Sequence, residues 1–199
     1  MNRLVLSKLL ALAVGIACVF FAFKYNKSAL YETSGSIYGT YWKLVSTEYI
    51  PDPLIQSIKQ ELNRIDFVAS NYKPSSELSI INAAPINTEI VISSDLYTNL
   101  KFAEDLHKLS NGYYDVTIGS LIIKEGFGPE SSMVDNALPV SKKRFNFLNN
   151  NSITKNDNFQ FDLSSIAKGY AVDSISNLLI RANRNNYLID IGGEIIVNG

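Results

Sequence analysis

The chain has 199 residues, with 18 lysines and arginines against 19 aspartates and glutamates, so its formal net charge is −1. This length accommodates one ordinary domain with a substantial core, and the even charge balance argues against a nucleic-acid-binding protein. The sequence contains one cysteine, Cys18, and one histidine, His107. These counts exclude a disulfide framework and a zinc site of the usual His and Cys kind. Any metal would therefore be a hard cation held by oxygen ligands.

The N-terminus has the pattern of an export signal. Arg3 and Lys8 precede an unbroken apolar run over residues 9–23. Such a run is typical of a signal peptide or of an uncleaved signal anchor, and residues 1–23 are predicted to be one or the other. Because positive charge before the run stays in the cytoplasm, we expect the rest of the chain on the far side of the membrane. The polar residues 24–36 are predicted to form a linker, and residues 37–199 the folded domain.

Cys18 lies inside the apolar run and has two interpretations. Residues 15–18 faintly resemble a lipoprotein processing site, at which the cysteine would carry lipid. However, Gly15 stands where such sites have a large aliphatic residue, and the run stays apolar past Cys18. These two features favour a cysteine within an anchor helix, with lipidation as the second interpretation.

The first half of the domain alternates strand and helix patterns. Aromatic and β-branched residues predict a strand over residues 37–47, with Gly39 marking a bulge or a close approach. Asp52 and Pro53 then begin a predicted helix with apolar residues at helical spacing over 54–68. A turn and a short capped helix are predicted between residues 71 and 82, a short strand over 87–93 and a helix over 95–109. His107 lies off the apolar stripe of that last helix, which predicts a solvated side chain.

The second half reads as strands around one long helix. Residues 113–119 are predicted to form a short strand, followed by an apolar turn at 121–123, and further strands are predicted over 145–150 and 152–163. A helix is predicted over 165–182, then a strand over 187–191, a Gly-Gly turn and a strand from 194 to 197. This order predicts an α+β fold in which helices pack on a mixed, partly antiparallel sheet.

Two joints between strands and turns carry the candidate chemistry. Lys168 lies one turn into a predicted helix that follows Ser164 and Ser165, a combination suited to binding phosphate. The alternative is a lysine whose alkyl stem lies along the surface beside a capped helix start. The second joint, residues 190–194, is either a plain hairpin turn or, together with the first, a site for a dinucleotide phosphate and a divalent cation.

Ser165 and Lys168 also fit the Ser-x-x-Lys pattern of serine acyl-transfer enzymes such as penicillin-binding proteins. Those enzymes need two further motifs, Ser-Asp-Asn and Lys-Thr-Gly, and neither occurs in this sequence. The pattern is therefore not interpreted as an acyl-transfer site.

Five segments of the chain, in order and spacing, resemble the ApbE family of FAD:protein FMN transferases. They are residues 38–40 (Tyr-Gly-Thr), 70–82 (Ser-Asn-Tyr, then Ser-Glu-Leu-Ser and Asn), 112–119 (Gly-Tyr-Tyr-Asp-Val-Thr-Ile-Gly), 162–173 (Asp-Leu-Ser-Ser-Ile-Ala-Lys-Gly-Tyr-Ala-Val-Asp) and 190–194 (Asp-Ile-Gly-Gly-Glu). The resemblance implies transfer of FMN from FAD to a threonine or serine hydroxyl of a target flavoprotein, with release of AMP. It also implies Mg²⁺ at the pyrophosphate and attachment to a bacterial inner membrane, with the domain facing the periplasm or another extracytoplasmic space.

Site residues are carried over from the resemblance motif by motif. The positions that would line the FAD site are Tyr38, Tyr72, Tyr114, Asp115, Val116, Asp162 and Lys168. The Ser165 position would contribute to the cation site, and no catalytic residue is assigned. Tyr38 replaces a usual methionine, and Glu125 stands where a tryptophan is common. Members of the family are longer, so the chain resembles their N-terminal portion, and the alternative to an active transferase is a non-catalytic flavin-binding remnant.

Overall fold

The computed structural model describes residues 3–25, 30–129, 144–148 and 151–199. Its first element is α1 (Arg3–Tyr25), an exposed helix that is long and apolar enough to cross a membrane over Ser7–Lys24. A cleavable signal sequence has the same length and composition as a membrane anchor. The helix is therefore consistent with both predicted alternatives, a signal peptide and a signal anchor. The remaining elements form an α+β fold, as predicted, and within the described ranges they make two sheets and two hydrophobic cores.

The first core lies under a four-stranded antiparallel sheet. Its strands, β1 (Tyr31–Ile37), β2 (Thr40–Ser46), β6 (Tyr187–Ile191) and β7 (Glu194–Asn198), are ordered β1-β2-β6-β7. Two helices, α2 (Asp52–Ala69) and α6 (Ala167–Arg181), contact this sheet and each other. Alternation along β2 and β6 turns every second side chain inward. The buried side chains of this core include Trp42, Leu44, Ile58, Leu62, Ile175 and Ile189.

The second core lies beside a smaller sheet of order β3-β5-β4, built from β3 (Ile90–Val91), β4 (Phe145–Leu148) and β5 (Ser152–Lys155). Three helices complete this part, α3 (Glu77–Ala83), α4 (Ser94–Leu109) and α5 (Gly119–Lys124). Three buried aromatic rings of this core, Phe145, Phe159 and Phe161, meet at tilted or near-perpendicular angles with centroids 4.8 to 6.4 Å apart. Such arrangements are the favourable ones for aromatic pairs.

A polar network joins the two parts through α2, α4 and α6. The Arg64 guanidinium donates to both Glu61 carboxylate oxygens, at 2.8 and 2.7 Å, and forms an ion pair with Asp95. The hydroxyls of Tyr170 and Ser174 donate to Asp95 and Glu61, respectively. The hydrogen bonds from Arg64 hold the pKa of the Glu61 carboxyl below its ordinary 4.5, and burial raises the pKa of Tyr170 to about 12. Side chains from three helices are thus fixed relative to one another.

The structure confirms most predicted elements and corrects several. The helices predicted over 54–68, 95–109 and 165–182 are confirmed as α2, α4 and α6. The segment predicted as a linker over 24–36 contains most of β1, and residues 26–29 of it lie outside the described residues. Gly39 is not a bulge, because Tyr38 and Gly39 form the two-residue turn between β1 and β2, both with positive φ.

Three further differences concern the loops. Residues 113–119 do not form the predicted strand, because the Asp115 carboxylate accepts hydrogen bonds from the Thr117 backbone N–H and hydroxyl and makes a turn. The apolar turn predicted at 121–123 is part of α5. The strands predicted over 87–93 and 152–163 shorten to β3 and β5, and residues 149–150 of the strand predicted over 145–150 lie outside the described residues.

Candidate functional site

A cavity of about 460 Å³ lies at the junction of the two parts of the fold. The C-terminal end of α2, the β1–β2 turn, the loop after α2 and the beginning of α6 form its walls. Three predicted FAD-site residues, Tyr38, Tyr72 and Lys168, line it although they are far apart in the sequence. The cavity therefore joins three of the five segments singled out in the sequence.

Tyr38 is held in place by the tight turn that contains it. Its φ of +53° and the φ of +71° at Gly39 are typical of a two-residue hairpin turn. The Tyr38 hydroxyl donates to the Leu62 carbonyl of α2 at 2.9 Å. Burial is the main cause that raises the pKa of this phenol, and the nearby Asp66 carboxylate raises it further, so Tyr38 is protonated throughout the physiological range. The ring is thereby fixed between the hairpin and α2.

Lys168 lies in the first turn of α6, where the helix dipole favours negatively charged ligands. Its Nζ donates to the Gly192 carbonyl at 3.2 Å and lies 3.7 Å from a Glu194 carboxylate oxygen. The two joints predicted from sequence, residues 162–173 and 190–194, thus meet at this lysine. A cationic side chain at the N-terminal end of a helix provides a recognition point for a phosphate group.

Asp162 lies behind the cavity wall and organises it. Its side chain accepts from the Asn71 amide at 2.6 Å and from the Ser164 backbone N–H at 2.8 Å, and both partners line the cavity. Only 8% of Asp162 is exposed. The carboxylate therefore ties the loop after α2 to the loop before α6.

The remaining predicted site residues gather beside this wall. The Tyr114 hydroxyl and the Ser165 hydroxyl are 2.8 Å apart, and burial is the main cause that raises the Tyr114 pKa. Val116 is buried in the second core, and its carbonyl accepts from the Asp162 backbone N–H at 2.8 Å. Asp115 accepts hydrogen bonds within its own turn. In the part of the chain that the structure describes, the residues that line the cavity do not include five of the predicted site residues: Tyr114, Asp115, Val116, Asp162 and Ser165.

Comparison with known sequences decides the family. The sequence profile of the ApbE family matches residues 38–199, which contain the cavity and all five segments. The chain belongs to the ApbE family. Two relatives are named FAD:protein FMN transferase. The one from Chlamydia pneumoniae is 34% identical over 155 residues, which cover 73% of this chain and 49% of that protein. The one from Haemophilus influenzae is 35% identical over 158 residues, which cover 72% of this chain and 46% of that protein.

A solved structure agrees with the family assignment. The flavin transferase ApbE from Vibrio cholerae superposes with a TM-score of 0.77 and 28% sequence identity, over 85% of this chain and 59% of that chain. The α+β fold predicted from sequence is therefore the ApbE fold. This ApbE-family chain spans about half the length of the curated relatives it matches.

Asp66 and Lys73 line the cavity of this ApbE-family chain, and sequence reasoning did not single them out. They form an ion pair across the loop that follows α2. Asp66 lies near the C-terminal end of the predicted helix. A charged residue on an otherwise apolar helix face was the sequence feature that could have identified it as a candidate site residue. The pair places one acid and one further cation in the cavity, in addition to Lys168.

The wall over residues 70–73 is fixed by serines. The Ser70 carbonyl accepts from the Ser76 hydroxyl at 2.5 Å and from the Ser79 hydroxyl at 3.2 Å. The Ser70 hydroxyl in turn accepts from the backbone N–H groups of Tyr72 and Lys73, both at 3.2 Å. Two of these serines belong to the Ser-Glu-Leu-Ser segment, whose role is therefore to hold the loop that carries Tyr72.

Asn82 clamps the backbone that leads into Asp162. Its side-chain oxygen accepts from the Phe161 N–H at 2.7 Å, and its side-chain nitrogen donates to the Phe161 carbonyl at 3.0 Å. The Lys155 ammonium donates to the Asn82 carbonyl at 2.8 Å and holds the clamp from behind. Residues 160 and 162 pair with the backbone of residues 116–119, and the Asn82 amide supplies the hydrogen-bond partners of the intervening Phe161.

His107 is not the freely solvated side chain predicted from the helix pattern. Its Nδ1 lies 2.7 Å from the Tyr114 carbonyl and donates to it, so the ring connects the end of α4 to the loop that carries Tyr114. The helix pattern places His107 correctly on α4. It does not predict the contact with Tyr114, because Tyr114 lies seven residues further along the chain and outside the helix.

The side chains around Ser165 suit a hard cation in chemical type. The Ser165 and Tyr114 hydroxyls offer neutral oxygen donors at the entrance to α6. Among the described residues, no group of three or more His, Cys, Asp or Glu side chains is placed to hold a metal ion. These residues fit a cation that takes most of its ligands from a bound phosphate group and water, as Mg²⁺ does.

Proposed function

We propose that this chain binds FAD in the cavity and acts in FAD:protein FMN transfer. In that reaction FMN passes from FAD to a threonine or serine hydroxyl of a target flavoprotein, and AMP is released. The observation that carries the proposal is the convergence of Tyr38, Tyr72 and Lys168 on one cavity in a chain of the ApbE family. The names of the relatives support it.

The cavity offers separate partners for the rings and for the phosphates of FAD. Tyr38 and Tyr72 present aromatic faces, on which a flat heteroaromatic ring packs favourably. Lys168 and the N-terminal end of α6 provide positive potential for the pyrophosphate. Tyr114 and Ser165 would hold the phosphate end of the site through their hydroxyls. Asp115, Val116 and Asp162 would act by fixing the loops that carry these contacts.

The transfer needs correct positioning more than side-chain chemistry. The acceptor hydroxyl oxygen forms a bond to the FMN phosphorus, the hydroxyl gives up its proton, and the bond from that phosphorus to the oxygen of AMP breaks. The Ser165 and Tyr114 hydroxyls would help to hold Mg²⁺, which when bound would supply charge stabilisation for the leaving AMP. Lys168 would hold the same phosphates from the protein side, and we assign no general base.

We further propose that α1 anchors the domain to a bacterial inner membrane, with the domain on the periplasmic or another extracytoplasmic side. The positions of Arg3 and Lys8 before the apolar run support this orientation. The domain would then bind its target flavoprotein on that same side of the membrane.

The test uses the full chain purified in detergent. FAD binding is measured by quenching of flavin fluorescence, and FMN transfer by incubation with FAD, Mg²⁺ and a target flavoprotein, followed by detection of covalent flavin on the target and of free AMP. We expect Lys168→Ala to weaken FAD binding roughly tenfold, the scale of one charge-assisted phosphate contact. Lys59→Ala is the matched control, because Lys59 is an exposed lysine of α2 that does not line the cavity.

Two outcomes separate the alternatives. FAD binding without covalent transfer would favour the non-catalytic flavin-binding member of the family. Absence of FAD binding in the wild-type chain would overturn the proposed function.

A further inference from the structure

Lys168 has a carboxylate neighbour that the proposed function does not explain. Glu194, the first residue of β7, places an oxygen 3.7 Å from the Lys168 ammonium nitrogen. The same nitrogen donates to the Gly192 carbonyl at 3.2 Å. The candidate phosphate-binding cation thus contacts a negative charge of the protein itself.

The backbone beneath this contact is rigid. The Asp190 carboxylate accepts from the Gly193 N–H at 2.9 Å and from the Tyr41 hydroxyl at 2.8 Å, while the Gly192 N–H donates to the Tyr41 carbonyl at 3.0 Å. A Cβ at Gly192 would lie 2.6 Å from a methyl carbon of Thr40, so the turn is packed closely against β2. The turn therefore holds the Gly192 carbonyl, and with it Lys168, in one place.

The Glu194 side chain is the movable partner. Half of it is exposed, 50% against 32% for Lys168, and among the described contacts its carboxylate has Lys168 as its ion-pair partner. An ion pair this exposed contributes little to folding stability. Its effect on a ligand is larger, because a phosphate that approaches Lys168 must displace the carboxylate or remain close to it.

We propose that Glu194 is an internal counter-ion of Lys168 that makes the binding of a pyrophosphate ligand depend on a divalent cation. Without the cation, the carboxylate competes with phosphate oxygens for Lys168 and repels them. With the cation, two positive charges at the pyrophosphate offset the carboxylate, and the competition largely disappears. The inference rests on the proposed function, since it concerns the same site and the pyrophosphate of FAD.

The experiment compares the wild-type chain with Glu194→Gln, which keeps the shape of the side chain and removes its charge. Affinities for FAD and for ADP, which has a pyrophosphate and no flavin, are measured on the full chain in detergent, with saturating Mg²⁺ or with EDTA. In EDTA we expect Glu194→Gln to bind both ligands roughly tenfold more tightly than the wild type, the effect of one nearby unit charge in a half-exposed setting. With Mg²⁺ we expect a change of less than about threefold, because the cation offsets the charge.

Two comparisons exclude a general charge effect. Glu32→Gln is the matched control, because Glu32 pairs with Lys43 at 2.8 Å on the same sheet and neither residue lines the cavity. We expect it to leave both affinities unchanged. In a Lys168→Ala background, Glu194→Gln should give a clearly smaller gain in EDTA, since the residue for which the two anions compete is absent and only the direct repulsion remains.

Three results would overturn the inference: no gain in EDTA, an equal gain with Mg²⁺, or a gain of undiminished size in the Lys168→Ala background. The proposed function fails separately. If the wild type binds ADP but not FAD, the flavin assignment is wrong and the Glu194 comparison is decided with ADP alone. If FAD binds and Glu194→Gln changes nothing, the inference is wrong and the proposed function stands. If neither ligand binds either protein, both are wrong.

Discussion

Replacement of Asn82 by alanine tests whether the clamp on Phe161 holds the site together. The substitution removes two hydrogen bonds, of 2.7 and 3.0 Å, to the backbone of a residue that is only 1% exposed. A buried backbone group that loses its partner costs about 1–3 kcal/mol. Because two groups are affected and the chain relaxes partly, we expect the free energy of unfolding to fall by about 2–4 kcal/mol.

This loss is large enough for an ordinary thermal melt. At about 2–4 °C per kcal/mol for a chain of this size, Asn82→Ala should lower Tm by roughly 4–16 °C. The fluorescence of Trp42, the single tryptophan, reports the transition because this side chain is buried in the first core. Asn63→Ala is the control, since the Asn63 side chain donates to one carbonyl on the exposed surface of α2 and should change Tm little.

The same substitution should also weaken FAD binding, because Phe161 leads directly into Asp162 and the cavity wall. If Asn82→Ala melts within about 1 °C of the wild type, the clamp does not stabilise this segment and the magnitude worked out above is wrong. If it melts early but a folded sample at low temperature binds FAD with wild-type affinity, the clamp is structural and does not position Asp162.

Three more predictions follow from single contacts. Asp162 accepts from the Asn71 amide through one carboxylate oxygen and from the Ser164 N–H through the other, so Asp162→Asn must direct its own NH₂ group at one of these two donors. FAD binding should therefore weaken, and wild-type affinity in a fluorescence titration would show that the carboxylate does not organise the wall. Gly119→Ala should destabilise the fold by about 1–3 kcal/mol in urea unfolding, because its Cβ would lie 2.7 Å from the Gln160 carbonyl oxygen, and an unchanged midpoint would contradict this close packing. Hydrogen bonds from the neighbouring arginine are the first cause of the lowered pKa of Glu61. The ionised Glu61 carboxylate therefore stabilises the folded state fully above pH 4.5, and this stabilisation is lost as pH falls through the folded-state pKa. The urea midpoint of Glu61→Gln should therefore fall less than that of the wild type between pH 6 and pH 3, and parallel curves would exclude the linkage.

The helices were predictable because their burial follows the sequence period. Three apolar residues of α2, Ile58, Leu62 and Ile65, recur at helical spacing and are buried in the first core. Capping serines also stand where the sequence indicates a helix start, as Ser76 does before α3. Local chemistry decides these elements, so the sequence alone is sufficient to place them.

The strand β1 shows where such reasoning fails. Its residues after Tyr31 are mostly small or polar, and its burial alternates only between exposed and partly exposed positions. The strand forms because each of its residues pairs with a partner in β2, a contact that is set by the Tyr38–Gly39 turn and not by local preference. The opposite error occurs at residues 113–119, where a strand was predicted from the β-rich composition. The segment forms a turn instead, because the Asp115 carboxylate accepts hydrogen bonds from within the segment.

Part of the candidate site was predictable because the family resemblance points to its residues, and Lys168 is also indicated by its position at a predicted helix start. Tyr38, Tyr72 and Lys168 were named through the family resemblance, and the structure places them at one cavity. The supporting roles of Asn82 and His107 were not predicted, because both side chains act on backbone groups outside their own helices. Such contacts depend on the tertiary arrangement and leave no periodic signal in the sequence.

The serine network around Ser70 has a consequence for the thermodynamics of binding. A loop whose backbone orders only when ligand arrives lowers affinity, by about 1–2 kcal/mol for each residue whose backbone becomes fixed. Here the segment that carries Tyr72 and Lys73 already has its backbone fixed by Ser70, Ser76 and Ser79, so this entropy is lost during folding and not during binding. Ser76, which does not line the cavity, should therefore influence affinity through preorganisation of a wall that it does not itself form.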